Sequence, residues 1–195
     1  MRADTSPEKL ALLKPAFDRS VHGTLTAGNS TALTDGAGAV LLTSDEFARQ
    51  HQLPVQAYFR DAQSAAVDFV HGAGLLMAPT LAVAQLLKRN NLQLQDFDFY
   101  EIHEAFAGQV LCTLKAWEND DYCRRELALD KALGPIDRNK MNIKGGSLAL
   151  GHPFGATGAR VVSTLAKLLH EKGSGRGLIS VCTGGGMGVA AILER

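Results

Sequence analysis

Apolar and polar positions follow two periods along this chain, and the changes of period mark its elements. At residues 6–17, Leu10, Leu13 and Phe17 fall on one stripe at helical spacing, with Ser6 as N-cap and Pro7 at the first helical position. A loop punctuated by Gly and Asn follows, then an apolar run at residues 38–43 that reads as a buried strand. SDEFARQHQ predicts a short helix capped by Ser44 with Phe47 facing inward, and VQAYFRDAQSAA a strand that gives way to loop near Asp61. A longer helix is predicted over residues 79–90, burying Leu81, Val83, Leu86 and Leu87. DFDFYEIHEAF carries a strand over residues 97–102 into a turn, and a helix over 104–117 follows. Residues 118–140 are polar and read as an irregular surface excursion. Val161, Val162, Leu165, Leu168 and Leu169 then recur at helical spacing over residues 156–172, with Gly173 as C-cap. Two strands, LISVC and VAAILE, joined by TGGGMG, close the chain.

Strands alternating with helices, ending in an antiparallel pair, predict an α/β layered fold. GAGAVLL and GMGVAAIL both place G-x-G ahead of an apolar strand. Glycine commonly precedes strands, so the echo is either incidental or an internal repeat; a repeat would mean the end of one half followed by a second, related half. The 195 residues, 46% hydrophobic and 21% charged, suit one domain, or one domain with part of another. Twenty basic and twenty acidic residues cancel, so neither nucleic acid nor an anionic membrane surface is an expected partner. No apolar run reaches the roughly 20 residues of a spanning helix, and MRADTSPEKLALLKPAF is too charged for a signal peptide. A cytoplasmic address is expected. The three cysteines lack CxxC spacing, so each is read as a thiol rather than half of a disulfide or a zinc ligand.

Three side chains stand where chemistry is placed in open sheets, at junctions of strand and turn. His152, between Gly151 and Pro153, precedes a helix whose N-terminal amides disfavour imidazolium and leave the ring as a base or neutral donor. Read alone, GHP is an ordinary tight lead into a helix. Cys182 ends a strand at the lip of a glycine-rich turn, where its thiol can exchange protons and the amide of Gly184 can bind an anion. His103 ends another strand. Cys112 reads as core on the apolar face of the following helix, and Cys123, in DDYCRR, as part of the irregular surface stretch. His22, His51, His71 and His170 show no ligand-like pairing, so no metal site is expected.

HEAF at residues 103–106, GHPFGATGAR at 151–160 and CTGGGMG at 182–188 resemble the thiolase family, as does TAGNSTALTDGAGAV at 26–40. The resemblance runs along essentially the whole chain, and HEAF in place of the more common NEAF is similar to the branch of the β-oxidation complex thiolase subunit. It implies a thiolase-like layered fold, a mixed β-sheet flanked by helices. One complete C-terminal core domain (residues 51–195) would follow the end of an N-terminal core domain (residues 1–50). It implies acyl transfer between a 3-ketoacyl-CoA and CoA, with coenzyme A as substrate and no resident cofactor. His152 would activate a nucleophilic cysteine and help bind the enolate-type oxyanion, Cys182 would act as acid/base at carbon, and Gly184 N–H would serve a second oxyanion hole. His103 stands where the family's asparagine usually holds a water. Ala27 and Thr31 match the CoA-contacting loop, and Met77 and Phe106 apolar walls of the pantetheine pocket.

The family's chain is about twice as long, and its nucleophilic cysteine lies in the half that does not match here. None of the cysteines present has that context. The expected partners are therefore acyl-CoA or CoA, an N-terminal thiolase half, and further copies in a homo- or hetero-oligomer. The strand at residues 38–43, without its neighbours, would expose an apolar sheet edge. The alternative is a non-catalytic remnant, or a CoA-binding or interaction module. A ketoacyl synthase fits less well, because a cysteine before a triple glycine is the thiolase arrangement.

Overall fold

Four of the apolar segments pair into one mixed sheet in the computed structural model, which describes residues 4–195. Strands β1 (Tyr58–Ala66), β2 (Phe99–Ile102), β3 (Arg176–Thr183) and β4 (Met187–Glu194) lie in the order β1-β4-β3-β2. β3 and β4 form an antiparallel hairpin whose turn includes Gly185 and Gly186, at φ 83° and 74°, backbone angles that cost a side-chain-bearing residue energy. β2 joins β3 in parallel, and β1 joins β4 antiparallel with an irregularity between Phe59 and Asp61. The strand expected to fail near Asp61 therefore continues to Ala66. Asp61 sits at the irregularity, where Arg89 of the neighbouring helix donates to both its oxygens at 2.8 Å and Asn90 donates at 2.7 Å. Its polarity suits an outer sheet edge, which in sequence looks like loop.

Helices cover both faces. On one, α3 (Ala78–Asn90), α4 (Ala107–Trp117) and α5 (Asp120–Leu127) bury Val83, Leu86, Leu87, Leu114 and Trp117 against Tyr100, Leu178 and Ile192 of the sheet. On the other, α7 (Thr157–Lys172) packs Val161, Leu165 and Leu169 on Ile179, Ala191 and Leu193. Each fully buried leucine contributes about 1.5–3 kcal/mol, so the two apolar faces hold the layers together. Gly173 ends α7 in the left-handed conformation expected of it.

Several local expectations are corrected. The stretch at residues 118–140 contains α5, capped by Asn119, whose side chain accepts from Tyr122 N–H at 2.8 Å. Only two residues separate α4 from α5, and the acidic start of α5 masked its amphipathic pattern. Cys123 is thus fully buried, its Sγ 3.4 Å from Ala116 O, rather than at the surface. Cys112, expected in the core, is exposed, because α4 turns Val110, Thr113 and Leu114 inward instead. Near the N-terminus, α1 spans only Pro7–Ala11, with Lys9 N–H donating to Ser6 Oγ at 3.3 Å. Pro15 interrupts the helical pattern and pairs with Thr26, leaving Phe17 66% exposed.

The apolar run at residues 38–43 is not a buried strand. It carries no regular secondary structure and is unpaired, with Leu41 and Leu42 73% and 69% exposed, because no neighbouring strand lies beside it among the described residues. The following α2 (Asp45–Gln50) is capped by Ser44 as expected, but buries Ala48 and leaves Phe47 half-exposed against His51. Of the two G-x-G segments, only the second forms a paired strand.

Candidate active site

The end of β2 fixes the site. Its register pairs Ile102 with Ser180, and His103 N–H then donates to Ser180 O at 2.8 Å. This places the imidazole beside Cys182, two residues further along β3. His103 and Cys182, with Ser180, Gln109 and Thr113, line a cavity of about 10 Å³, near the lower limit for a single water. His152 arrives from another direction. It follows the short helix α6 (Ser147–Leu150), which Gly151 terminates at φ 94°, and a Cβ on Gly151 would meet Thr34 at 2.6 Å. His152 N–H donates to Ala32 O at 2.9 Å, tying this loop to the N-terminal segment. The two imidazole rings stand with centroids 4.2 Å apart. Only His103 and Cys182 therefore occupy strand ends; His152 leaves a helical turn.

Hydrogen-bond logic assigns the His152 tautomer. Thr157 Oγ1 donates its one hydrogen to Pro153 O at 3.2 Å, as a hydroxyl in a first helical turn commonly does. With its hydrogen directed there, it accepts the 2.6 Å bond from His152 Nδ1–H, an assignment that leaves Nε2 with a free lone pair. Burial, and then the Arg160 guanidinium, hold this imidazole below its ordinary pKa. His103 is more deeply buried; desolvation first, then His152 and Arg160, bring its pKa down to about 4. Both rings are neutral at neutral pH. Cys182 is displaced the other way: burial raises its pKa against the backbone amides of Cys182 and Ala105, so its thiol keeps its proton. The site thus pairs a base with a neutral acid, an arrangement suited to proton transfer at carbon.

The remaining expected residues fall around this centre. Gly184 opens the β3–β4 turn beyond Cys182, and, its chain neighbours aside, no described residue comes within 4 Å of where its Cβ would be. Thr31 is bound to the site's scaffold, its N–H donating to Ala105 O and its Oγ1 to Ser147 O, both at 2.9 Å. Phe106 begins α4 and packs edge-on against Phe17, with centroids 5.6 Å apart. Met77 lines a separate groove of about 510 Å³ with Leu111, Cys112 and Tyr122, and its sulfur accepts from Gln109 Nε2 at 3.2 Å. Gln109 itself lines the small cavity. Ala27 lies exposed in the turn before Ser30.

Four residues not singled out from sequence complete the centre: Glu101, Ser147, Thr157 and Arg160. Glu101 is 2% exposed with one carboxylate oxygen unpartnered, and burial outweighs the nearby Arg160 to push its pKa up to about 7. Its signal was legible, since a charged residue in the strand FYEI shares the pleat face of the histidine that follows. Among the described residues, no group of three or more His, Cys, Asp or Glu is disposed to hold a metal ion. No helix among them is long and apolar enough to cross a membrane.

A mixed sheet between helical layers, with two imidazoles and a thiol meeting where β2 and β3 end, defines a protein of the thiolase fold. The sequence agrees: the family model for the thiolase C-terminal domain matches residues 53–195 and that for the N-terminal domain residues 1–46. The chain belongs to the thiolase family. A 3-ketoacyl-CoA thiolase of Yersinia pestis (strain Pestoides F) is 42% identical over 194 residues, 100% of this chain and 44% of that protein. The dimeric peroxisomal thiolase of Saccharomyces cerevisiae superposes with a TM-score of 0.79 at 38% identity, over 100% of this chain and 44% of its own. Human mitochondrial 3-ketoacyl-CoA thiolase in complex with CoA gives 0.80 at 34% identity, over 99% and 43%. The chain therefore spans less than half the length of the relatives it matches.

Proposed function

We propose that this chain forms the C-terminal part of a 3-ketoacyl-CoA thiolase active site and works with a thiolase N-terminal half that brings the nucleophilic cysteine. His152 Nε2 takes the nucleophile's proton as the thiolate attacks the C3 carbonyl of a 3-ketoacyl-CoA. Collapse of the tetrahedral adduct breaks the C2–C3 bond, leaving an acyl-enzyme and the enolate of acetyl-CoA. The Cys182 thiol protonates that carbanion, while the Nε2–H that His152 gained from the nucleophile, with a donor at His103, holds its oxygen. The Cys182 thiolate then takes the proton of a second CoA thiol, whose sulfur attacks the acyl-enzyme with Gly184 N–H at the thioester oxygen; the nucleophile leaves as it takes its proton back from His152, and an acyl-CoA two carbons shorter is released. Residues 1–50 close the N-terminal core domain, residues 51–195 form the C-terminal one, and the assembled enzyme is a cytoplasmic oligomer.

The observation that carries this reading is the convergence of two imidazoles and a thiol at the ends of β2 and β3. The His152 and His103 rings meet at 4.2 Å between centroids, tilted by 46°, and His103 shares a cavity with Cys182. The test is to co-express the chain with a cysteine-bearing thiolase N-terminal half and follow thiolysis of a 3-ketoacyl-CoA. Activity is expected from the mixture, and Cys182→Ala or His152→Ala should abolish it. CoA binding without turnover in every mixture would favour a non-catalytic CoA-binding module, and robust turnover by the chain alone would place the nucleophile elsewhere.

A further inference from the structure

Ser147 and Arg160 have no part in the scheme above, yet both are wired to His103. Ser147 is fully buried, and its Oγ has two partners: Arg160 Nη2 at 2.6 Å and His103 Nδ1 at 2.9 Å. A guanidinium only donates. Ser147 Oγ therefore accepts from Arg160, and its single hydrogen is directed to the imidazole. We infer that Arg160 and Ser147 are positioning residues that hold His103 as the neutral tautomer with its hydrogen on Nε2, the opposite of His152. The adjacent rings then present one donor and one acceptor to the reacting thioester.

Three features support this assignment. The bond from Arg160 is charge-assisted and short, and it polarises the Ser147 hydroxyl into a stronger donor toward Nδ1. Arg160 makes no close ion pair among the described residues: its buried Nε has no partner there, and neither has one oxygen of Glu101, a carboxyl on which its positive charge acts. Its positive charge also opposes a proton on either ring, consistent with the lowered pKa of both histidines. A His103 with hydrogen on Nδ1 would instead turn a lone pair toward any developing oxyanion and would leave the Ser147 hydrogen without its acceptor. Leaving such a buried donor unpaired is destabilising.

The chemical use of the tautomer rests on the thiolase reading; the tautomer itself does not. The test is a long-range proton–nitrogen correlation spectrum of the full chain labelled with ¹⁵N-histidine at neutral pH, with His103 assigned by the loss of its signals in His103→Asn. His103 is expected to show an unprotonated Nδ1 and a protonated Nε2. In Ser147→Ala the two nitrogen shifts should move toward each other as the tautomers mix, with a smaller shift in Arg160→Met, while Ser147→Thr restores the native pattern. A protonated Nδ1 in the native chain overturns the inference even if no variant folds, and so does an unchanged pattern in both Ser147→Ala and Arg160→Met. Because the readout needs no turnover, failed thiolysis with the expected spectrum counts against the thiolase reading alone. Thiolysis with His103 protonated at Nδ1 counts against this inference alone.

Discussion

Replacing Glu101 by Gln tests the electrostatics of the site through stability. The carboxyl is buried with one oxygen unpartnered, and its pKa rises from the reference value of 4.5 to about 7. Below pH 4.5 the folded and unfolded chains both hold the proton, and ionisation costs nothing. Between 4.5 and about 7 the unfolded chain releases it while the folded one retains it, so stability falls as pH rises; above about 7 the penalty is complete. At about 1.4 kcal/mol for each pH unit separating the two values, the loss is about 3 kcal/mol. His103 acts in the opposite sense, because its pKa drops from 6.5 to about 4 and its contribution is lost as pH falls through that window. The two slopes oppose each other in the wild-type chain, so its stability alone is a poor guide. The difference between wild type and Glu101→Gln, from urea unfolding at several pH values, isolates the carboxyl. The variant should gain about 3 kcal/mol on the wild type between pH 4.5 and pH 8. A difference that stays flat across this range would mean that Arg160 stabilises the ionised carboxylate in place and that burial does not dominate.

Other outcomes follow from packing and exposure. Gly188→Ala puts a Cβ 2.5 Å from Pro79 N, pushing the first turn of α3 away from β4; a loss of about 1–3 kcal/mol in urea unfolding is expected. A disulfide reagent should modify the exposed Cys112 first, the half-buried and protonated Cys182 slowly, and the buried Cys123 only on unfolding. Cys112→Ser should remove the fast phase. Replacing Leu41 and Leu42 together by Asp should reduce dye binding and self-association of the chain and block its reconstitution with an N-terminal half. Unchanged reconstitution would show that this face is not where the halves meet.

The long periodic elements were plain in the sequence because their burial is local in cause. α3, α7 and the closing hairpin lie within a residue or two of their expected bounds, since each carries its own apolar stripe and its own stop signal. Expectations failed where the decisive neighbour is remote. Residues 38–43 look like core because they are apolar, yet whether they are buried depends on strands that only another part of the fold can supply. Phe47 and Cys112 failed similarly, as helical spacing tells which residues share a face but not which face meets the sheet. The site divides along the same line. Its histidines and Cys182 announce themselves through glycine-rich motifs, whereas Ser147, Thr157 and Arg160 act through hydrogen bonds. Ser147 reaches His103 across 44 positions of chain, and no local pattern encodes that contact.

One small bridge has a mechanical consequence. Leu33 pairs in parallel with His152, whose amide is anchored to Ala32, at the head of the unpaired segment that runs on through Leu41 and Leu42. Those residues form a single stretch of backbone, so whatever lays a strand along its far end also stiffens the peptide that aims the His152 ring. Assembly and readiness for proton transfer would then be one event, and a chain still waiting for its complement would hold its base on a loose tether.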